Sequence, residues 1–286
     1  MSGQSVQGWA PTPWFLISAP EPPARAVDRS PLIRRLDDII RQHRVTSVTA
    51  PPGYGKTVAV GQWAERAGMP VAWLTLTHLD DRPARLYRGV VSALQELADV
   101  TGDEHLAPLL ALRPDLKDLA ASTDALAGAL ERIPDPIALV IDDAHLSGDA
   151  LAESVVATLA EHGDGRLRIV LVGTTQPALP AGLWLSESLD AIGPDVLAFD
   201  VDEVRSVAAA IGRPLSSAVA VEIHASTGGW PAAVHLTLMG RDGLHVPHGP
   251  DLGPTSPDAA PDLTDYIADG ILGGLPDPLA EFVLAV

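Results

Sequence analysis

Apolar residues fall along this chain in two alternating rhythms. Short unbroken runs at 45–50, 70–76, Ile137 to Ile141, Leu167 to Val172 and Val196 to Phe199 are bounded by turn residues, which predicts strands buried on both faces. Between the runs, apolar residues recur at every third or fourth position. Leu32, Ile33, Leu36, Ile39 and Ile40 predict a helix, with Ser30 as its N-cap and Pro31 in its first turn. Helices are predicted again at 57–67 and near 82–99, where Leu86, Val90, Leu94 and Leu97 share a face and Asp80 and Asp81 stand as caps. This alternation predicts a doubly wound α/β domain with a parallel sheet.

From about residue 201 the strand pattern stops. Residues 201–212, 217–227 and 230–240 predict three helices, hence a small helical subdomain. A linker rich in glycine, proline and aspartate is expected at 241–262, and a further helical or winged-helix domain from 263 to 286. The chain ends on Phe282-Val283-Leu284-Ala285-Val286, an apolar stretch that reads as an interrupted domain. At the other end, residues 1–26 are rich in proline, glycine and serine and predict a flexible arm, so the sheet domain is expected at 27–200 and the helical subdomain at 201–240. No internal repeat is evident.

Composition narrows the chemistry. With 286 residues, 47% of them hydrophobic, there is ample core for a large α/β domain and a smaller one. There is no cysteine, so thiolate nucleophiles, cysteine metal sites and disulfides are excluded. The formal net charge of −18 argues against DNA binding by this chain and against an anionic membrane surface. Trp14-Phe15-Leu16-Ile17 lacks a basic leader and is followed by Pro20 and Pro22-Pro23, unlike a signal peptide. No apolar stretch reaches the roughly 18 residues of a membrane helix. The expected location is the cytoplasm.

Only two lysines are present, and one, Lys56, lies in Ala50-Pro51-Pro52-Gly53-Tyr54-Gly55-Lys56-Thr57, straight after a predicted strand. The stretch reads as a phosphate-binding loop. Its glycines let backbone N–H groups wrap a phosphate, Lys56 reaches the outer phosphates and the Thr57 hydroxyl suits Mg²⁺. Val58 opens the following helix, whose N-terminus and dipole also favour an anion. Ala50 stands where the motif has its first glycine, a position that tolerates alanine if φ stays negative.

The run from Ile137 delivers Asp142 and Asp143 at a strand's carboxyl end, where ligands bind in open α/β sheets. Asp142 is the candidate Mg²⁺ partner of Thr57, and Asp143 the group that orients or deprotonates an attacking water. The alternative, that the pair simply caps the next helix, loses weight because the pair follows a phosphate loop and an intervening strand-helix unit. Thr174, Thr175 and Gln176 close the following strand, at the place of a γ-phosphate sensor or simply of a turn. His145 reads as a packed or capping histidine.

Together, Ala50 to Thr57, Val71 to Leu76, Asp142-Asp143-Ala144-His145 and Gly229-Trp230-Pro231 resemble the nucleotide-binding core of the large ATP-binding LuxR-type regulators. These are signal-transduction ATPases with numerous domains, a class that includes the maltose-regulon activator. The resemblance covers residues 25 to 286. It implies a P-loop NTPase fold with five strands in the order 195–200, 45–50, 167–173, 137–142, 71–76. It also implies an adenine pocket bordered by Val27, Arg29 and Pro231, ATP or ADP with Mg²⁺ as ligands, and self-association or a regulatory protein partner.

The family carries an arginine where Gln176 stands, so slow or absent hydrolysis is expected. Its inducer-binding repeats and its DNA-reading domain would follow residue 286. The leading expectation is an ATP-dependent switch module of a transcriptional regulator. The alternatives are a free-standing P-loop ATPase and a non-catalytic module that holds ADP.

Overall fold

A computed structural model describes residues 12–23, 26–113, 115–163 and 165–240. The linker expected at 241–262 and the helices expected from 263 onward lie outside the described residues. The chain divides into two compact units. Among the described residues, the first comprises 12–23, 30–49 and 56–193, and the second comprises 26–29, 50–55 and 194–240.

In chain order the first unit holds α1 (Ser30–Gln42), β1 (Val45–Thr49), α2 (Lys56–Arg66), β2 (Val71–Thr75), α3 (Pro83–Thr101), α4 (Ala107–Leu110), α5 (Leu119–Leu130), β3 (Ile137–Asp142), α6 (Val155–His162), β4 (Leu167–Gly173), α7 (Ala181–Trp184) and β5 (Leu189–Ile192). The strands form one parallel sheet in the order β2-β3-β4-β1-β5. Every residue of β3 is buried, as expected where helices cover both faces of parallel strands. In register, Thr49 of β1 partners Gly173 of β4, and Thr75 of β2 partners Asp142 of β3. The carboxyl ends of four strands therefore lie along one edge, where open α/β sheets carry their ligands.

Two indoles tie down the helices and sheet by hydrogen bonds as well as bulk. Trp63 and Trp73 are fully buried; the Trp63 Nε1–H donates to Asp37 Oδ1 at 3.1 Å, joining α2 to α1, and the Trp73 Nε1–H to Thr75 Oγ1 at 3.0 Å. A buried indole needs such a partner.

Three expectations are revised. The strand expected at 195–200 is a helical turn, and the sheet's fifth strand comes earlier, at Leu189–Ile192, in the expected place beside β1. Pro194 has its φ preset for a first helical turn, and its carbonyl accepts the Ala198 N–H at 2.8 Å. β5 escapes a reading by apolar runs because an edge strand has one neighbour, and its sequence Leu-Asp-Ala-Ile is only partly buried.

Residues 12–23, expected within an arm, pack on the first unit. Ile17 is buried in its core, Thr12 Oγ1 donates to Ser92 Oγ at 3.0 Å, and Trp14–Leu16 form a 3₁₀ turn. Finally, Asp80 closes a turn by accepting the Thr77 N–H and hydroxyl, while α3 starts at Pro83 behind Arg82 without a side-chain cap.

The second unit contains α8 (Pro194–Leu197), α9 (Val201–Ala210), α10 (Ser217–Thr227) and α11 (Pro231–Gly240). Phe199, Val204, Val207, Ala220, Ile223, Val234 and Leu238 form its core. α9 starts with a reciprocal cap: Asp200 Oδ1 accepts the Glu203 N–H, and Glu203 Oε2 accepts the Asp200 N–H. Buried Arg29 is fastened to the same corner. Its Nε donates to Glu203 Oε1 at 2.8 Å, Nη1 to the Leu197 carbonyl at 2.9 Å and Nη2 to the Ala198 carbonyl at 3.0 Å, with the guanidinium 4.9 Å from the Phe199 ring centre. Such a planar fork serves several fixed acceptors at once.

Gly229, at φ +71°, has room for no side chain, because an added Cβ would land on the Phe199 carbonyl oxygen. Removing Arg29 leaves Glu203 without its charge partner and the Leu197 and Ala198 carbonyls without this donor. Arg29→Ala is therefore expected to destabilise the second unit by about 3 kcal/mol, measured by urea unfolding.

Candidate functional site

In the first unit, β1 leads toward the glycine loop and α2 begins at Lys56. Thr57, in the first turn of α2, donates its hydroxyl to Asp142 Oδ1 at 3.2 Å. The Asp143 N–H donates to the same oxygen at 3.0 Å. Two residues 85 positions apart in sequence thus meet at the strand ends.

Asp142 is only 3% exposed. Burial, with the Asp143 charge second, pushes its pKa up to about 6, against the pull of Thr57, the Asp143 N–H and Lys56. A carboxylate held this way gains from a cation beside it. The oxygen-only pair of Thr57 and Asp142 suits a hard ion such as Mg²⁺, and the buried charge supplies the reason to bind one.

Burial lowers the Lys56 ammonium pKa, while Asp142 and Asp143 raise it, so the lysine lies within the field of both carboxylates. Asp143 has φ 54° and ψ 35°, the only positive φ of a non-glycine among the described residues. Such a left-handed aspartate costs on the order of 1 kcal/mol. Asp143 is half-buried there.

His145 packs its backbone onto Gly173, where an added Cβ would lie 3.3 Å from the His145 nitrogen. Its Nδ1 is buried without a hydrogen-bond partner, and burial lowers its pKa, favouring the neutral ring. Gln176 is exposed just beyond β4, the strand beside β1, and Val58 is half-buried in the first turn of α2.

In the second unit the loop Ala50 to Gly55 is bound to the start of α11. The Trp230 Nε1–H donates to the Pro52 carbonyl at 3.2 Å, and the Ala232 N–H to the Gly53 carbonyl at 3.1 Å. Tyr54 stacks on Trp230, with ring centres 6.3 Å apart and planes 26° from parallel. Gly53 and Gly55 take φ of +79° and +70°, as a phosphate-wrapping loop demands. Ala50 is buried and has no positive φ, so alanine is accommodated there. Pro51 and Pro52 are half-buried, and Pro231 is buried at the head of α11, directly after Trp230.

Arg29 differs from its expected role at a base. Its side chain is committed to Glu203, Leu197 and Ala198, so its guanidinium is already engaged within the second unit. The contact of Trp230 with the loop was not legible in advance. Gly229-Trp230-Pro231 stood out as a motif, but its partner lies 178 residues away.

Residues 39–178 match the AAA domain family. The chain is 28% identical over 286 residues to the serine/threonine-protein kinase PknK of Mycobacterium tuberculosis, covering 96% of this chain and 25% of that protein. It is 27% identical over 272 residues to the HTH-type transcriptional regulator MalT of Cronobacter sakazakii, covering 94% and 30%. Among solved structures it is similar to a signal-transduction ATPase with numerous domains, carrying a tetratricopeptide repeat sensor, from Pyrococcus horikoshii. That match has TM-score 0.54 and 15% identity, over 91% of this chain and 34% of the other.

The chain therefore has a P-loop NTPase fold, and residues 39–178 match the AAA domain. Over nearly its whole length it is similar to part of a MalT regulator. It spans only a quarter to a third of the length of these relatives.

The raised pKa of Asp142 has a consequence for stability. Between about pH 4 and 6 the folded protein holds a proton there that the unfolded chain has lost, so this group's contribution to stability falls as pH rises through that window. Asp142→Asn removes the cost. In chelator and without nucleotide, the variant is expected to exceed the wild type by about 3 kcal/mol above pH 7 and to match it below about pH 4, measured by urea unfolding across pH.

Proposed function

We propose that this chain is an ATP-binding regulatory switch module of a LuxR-type transcriptional regulator, holding Mg-ATP or ADP with slow or no hydrolysis. The observation that carries this reading is the hydrogen bond from Thr57 to Asp142, one residue along from Lys56 and its glycine loop. Ala50, Pro51, Pro52, Gly53, Tyr54 and Gly55 supply the loop, Lys56 neutralises the outer phosphates and Val58 adds an N–H of the first helical turn. Thr57 and Asp142 hold Mg²⁺. When bound, the ion supplies neutralisation of charge on the phosphate oxygens.

Asp143 orients a water, Gln176 stands at the γ-phosphate, and Val27, the Arg29 backbone and Pro231 border the base. Slow turnover follows from chemistry: an exposed, neutral Gln176 cannot supply the positive charge that accelerates phosphoryl transfer. The two relatives bear different named outputs, a kinase and a transcriptional regulator, over the same shared segment. That supports a regulatory module rather than an output domain. Self-association or a regulatory protein is its partner and the cytoplasm its location. Among the described residues no helix is long and apolar enough to cross a membrane.

The test is calorimetry with Mg-ATP. Lys56→Ala is expected to weaken binding about tenfold to a hundredfold, the worth of charge-assisted bonds to phosphate. Equal binding by both proteins, or none by the wild type, rejects the reading. Phosphate release separates switch from enzyme: a switch turns over far below the roughly 1 s⁻¹ at which ordinary enzymes begin. A faster rate that collapses in Asp143→Asn identifies a free-standing ATPase, and equal, tight binding of ADP and ATP without turnover an ADP-holding module.

A further inference from the structure

We infer that Trp230, with the first turn of α11, holds the phosphate loop in its anion-binding form, which makes Trp230 a positioning residue for the phosphates of the nucleotide. The inference rests on the nucleotide-binding reading above and adds a residue and a physical cause to it.

The argument runs through two peptide planes. The Pro52 carbonyl shares a plane with the Gly53 N–H, and the Gly53 carbonyl shares one with the Tyr54 N–H. Both are trans, since no cis peptide occurs among the described residues. In a trans peptide the C=O and N–H point in opposite directions. The Trp230 indole and the Ala232 amide hold the two carbonyls on the α11 side at 3.2 and 3.1 Å. The N–H groups of Gly53 and Tyr54 are thereby turned to the other side of the loop, as two consecutive donors facing one way. Consecutive N–H groups so aligned form an anion-binding concavity.

Ordinary extended chain would point successive carbonyls to opposite sides. The left-handed Gly53, at φ +79°, lies between the two planes and permits their alignment. Contact with α11 is as close as glycine allows: an added Cβ would lie 2.7 Å from Ala232 Cβ and 2.9 Å from Trp230 Nε1. The stacking of Tyr54 on Trp230 braces the same turn. Without the indole donor, the plane joining Pro52 and Gly53 is free to rotate and present its oxygen to a phosphate, which repels it. The loss should therefore scale with phosphate and be blind to the base.

The test uses the whole chain and Trp230→Phe, which keeps a ring against Tyr54 and removes the Nε1–H donor. Calorimetry with ATP, ADP, inorganic tripolyphosphate and adenosine is expected to show a common weakening for the first three, about three- to tenfold for one neutral hydrogen bond. Adenosine binding should not change. A loss confined to ATP, ADP and adenosine, with tripolyphosphate unaffected, would mean that Trp230 shapes the base pocket and would overturn the inference. So would equal affinities in both proteins. If wild-type protein binds none of the four, the nucleotide reading itself fails, and this inference with it.

A measurement on wild-type protein guards against a variant that does not fold. Tripolyphosphate should slow hydrogen exchange of the Ala232 amide as well as those of Gly53 and Tyr54, because its bond to the Gly53 carbonyl tightens when the loop closes on phosphate. Protection that leaves Ala232 unchanged counts against the inference.

Discussion

Burial of a parallel sheet on both faces is the constraint from which the rest follows. Strands covered on both sides have to be apolar along their whole length, and β3 meets that demand up to its last residue, Asp142, which is charged in water and yet almost fully enclosed. The carboxylate is left with a hydroxyl, a backbone N–H and the field of Lys56 to offset its lost hydration. Those partners are insufficient, and its pKa stays raised. A buried charge that the fold does not fully satisfy would gain from a cation beside it.

The second unit answers a different demand, that of a loop whose backbone has to face one way. Pro52 and Gly53 have their carbonyls bonded to Trp230 and Ala232, while Arg29 ties the 26–29 segment to the corner between α8 and α9. Arg29 illustrates how a residue can belong to a functional region through packing alone. Its donors are directed to Glu203 and two carbonyls, so it supports the unit's architecture rather than offering its charge to a ligand.

Much of this was legible because it is local. Unbroken apolar runs marked β1 to β4 to within a residue or so, and helical spacing marked α1, α2, α3 and α10 comparably well. The glycine loop and the paired aspartates stood out through composition and order. β5 was missed because partial burial at a sheet edge leaves no run to read, while the apolar 196–199 stretch that imitated a strand belongs to the second unit, with Leu197 and Phe199 buried. Residues 12–23 read as an arm with one short apolar run, and the burial of Ile17 together with the Thr12–Ser92 hydrogen bond reveals that they pack on the first unit.

By itself, then, the sequence determined the fold class, the succession of four strands and their helices along the chain, and the presence of a glycine loop and an aspartate pair, since each rests on periodicity or on a short motif. Tertiary structure decided which distant residues meet: Thr57 with Asp142, Arg29 with Glu203, and Trp230 with the carbonyl of Pro52. It also decided the raised pKa of Asp142 and the left-handed turn of Asp143. The reason is physical. Desolvation and hydrogen bonding between positions far apart in the chain depend on the packed surroundings, and no local pattern encodes them.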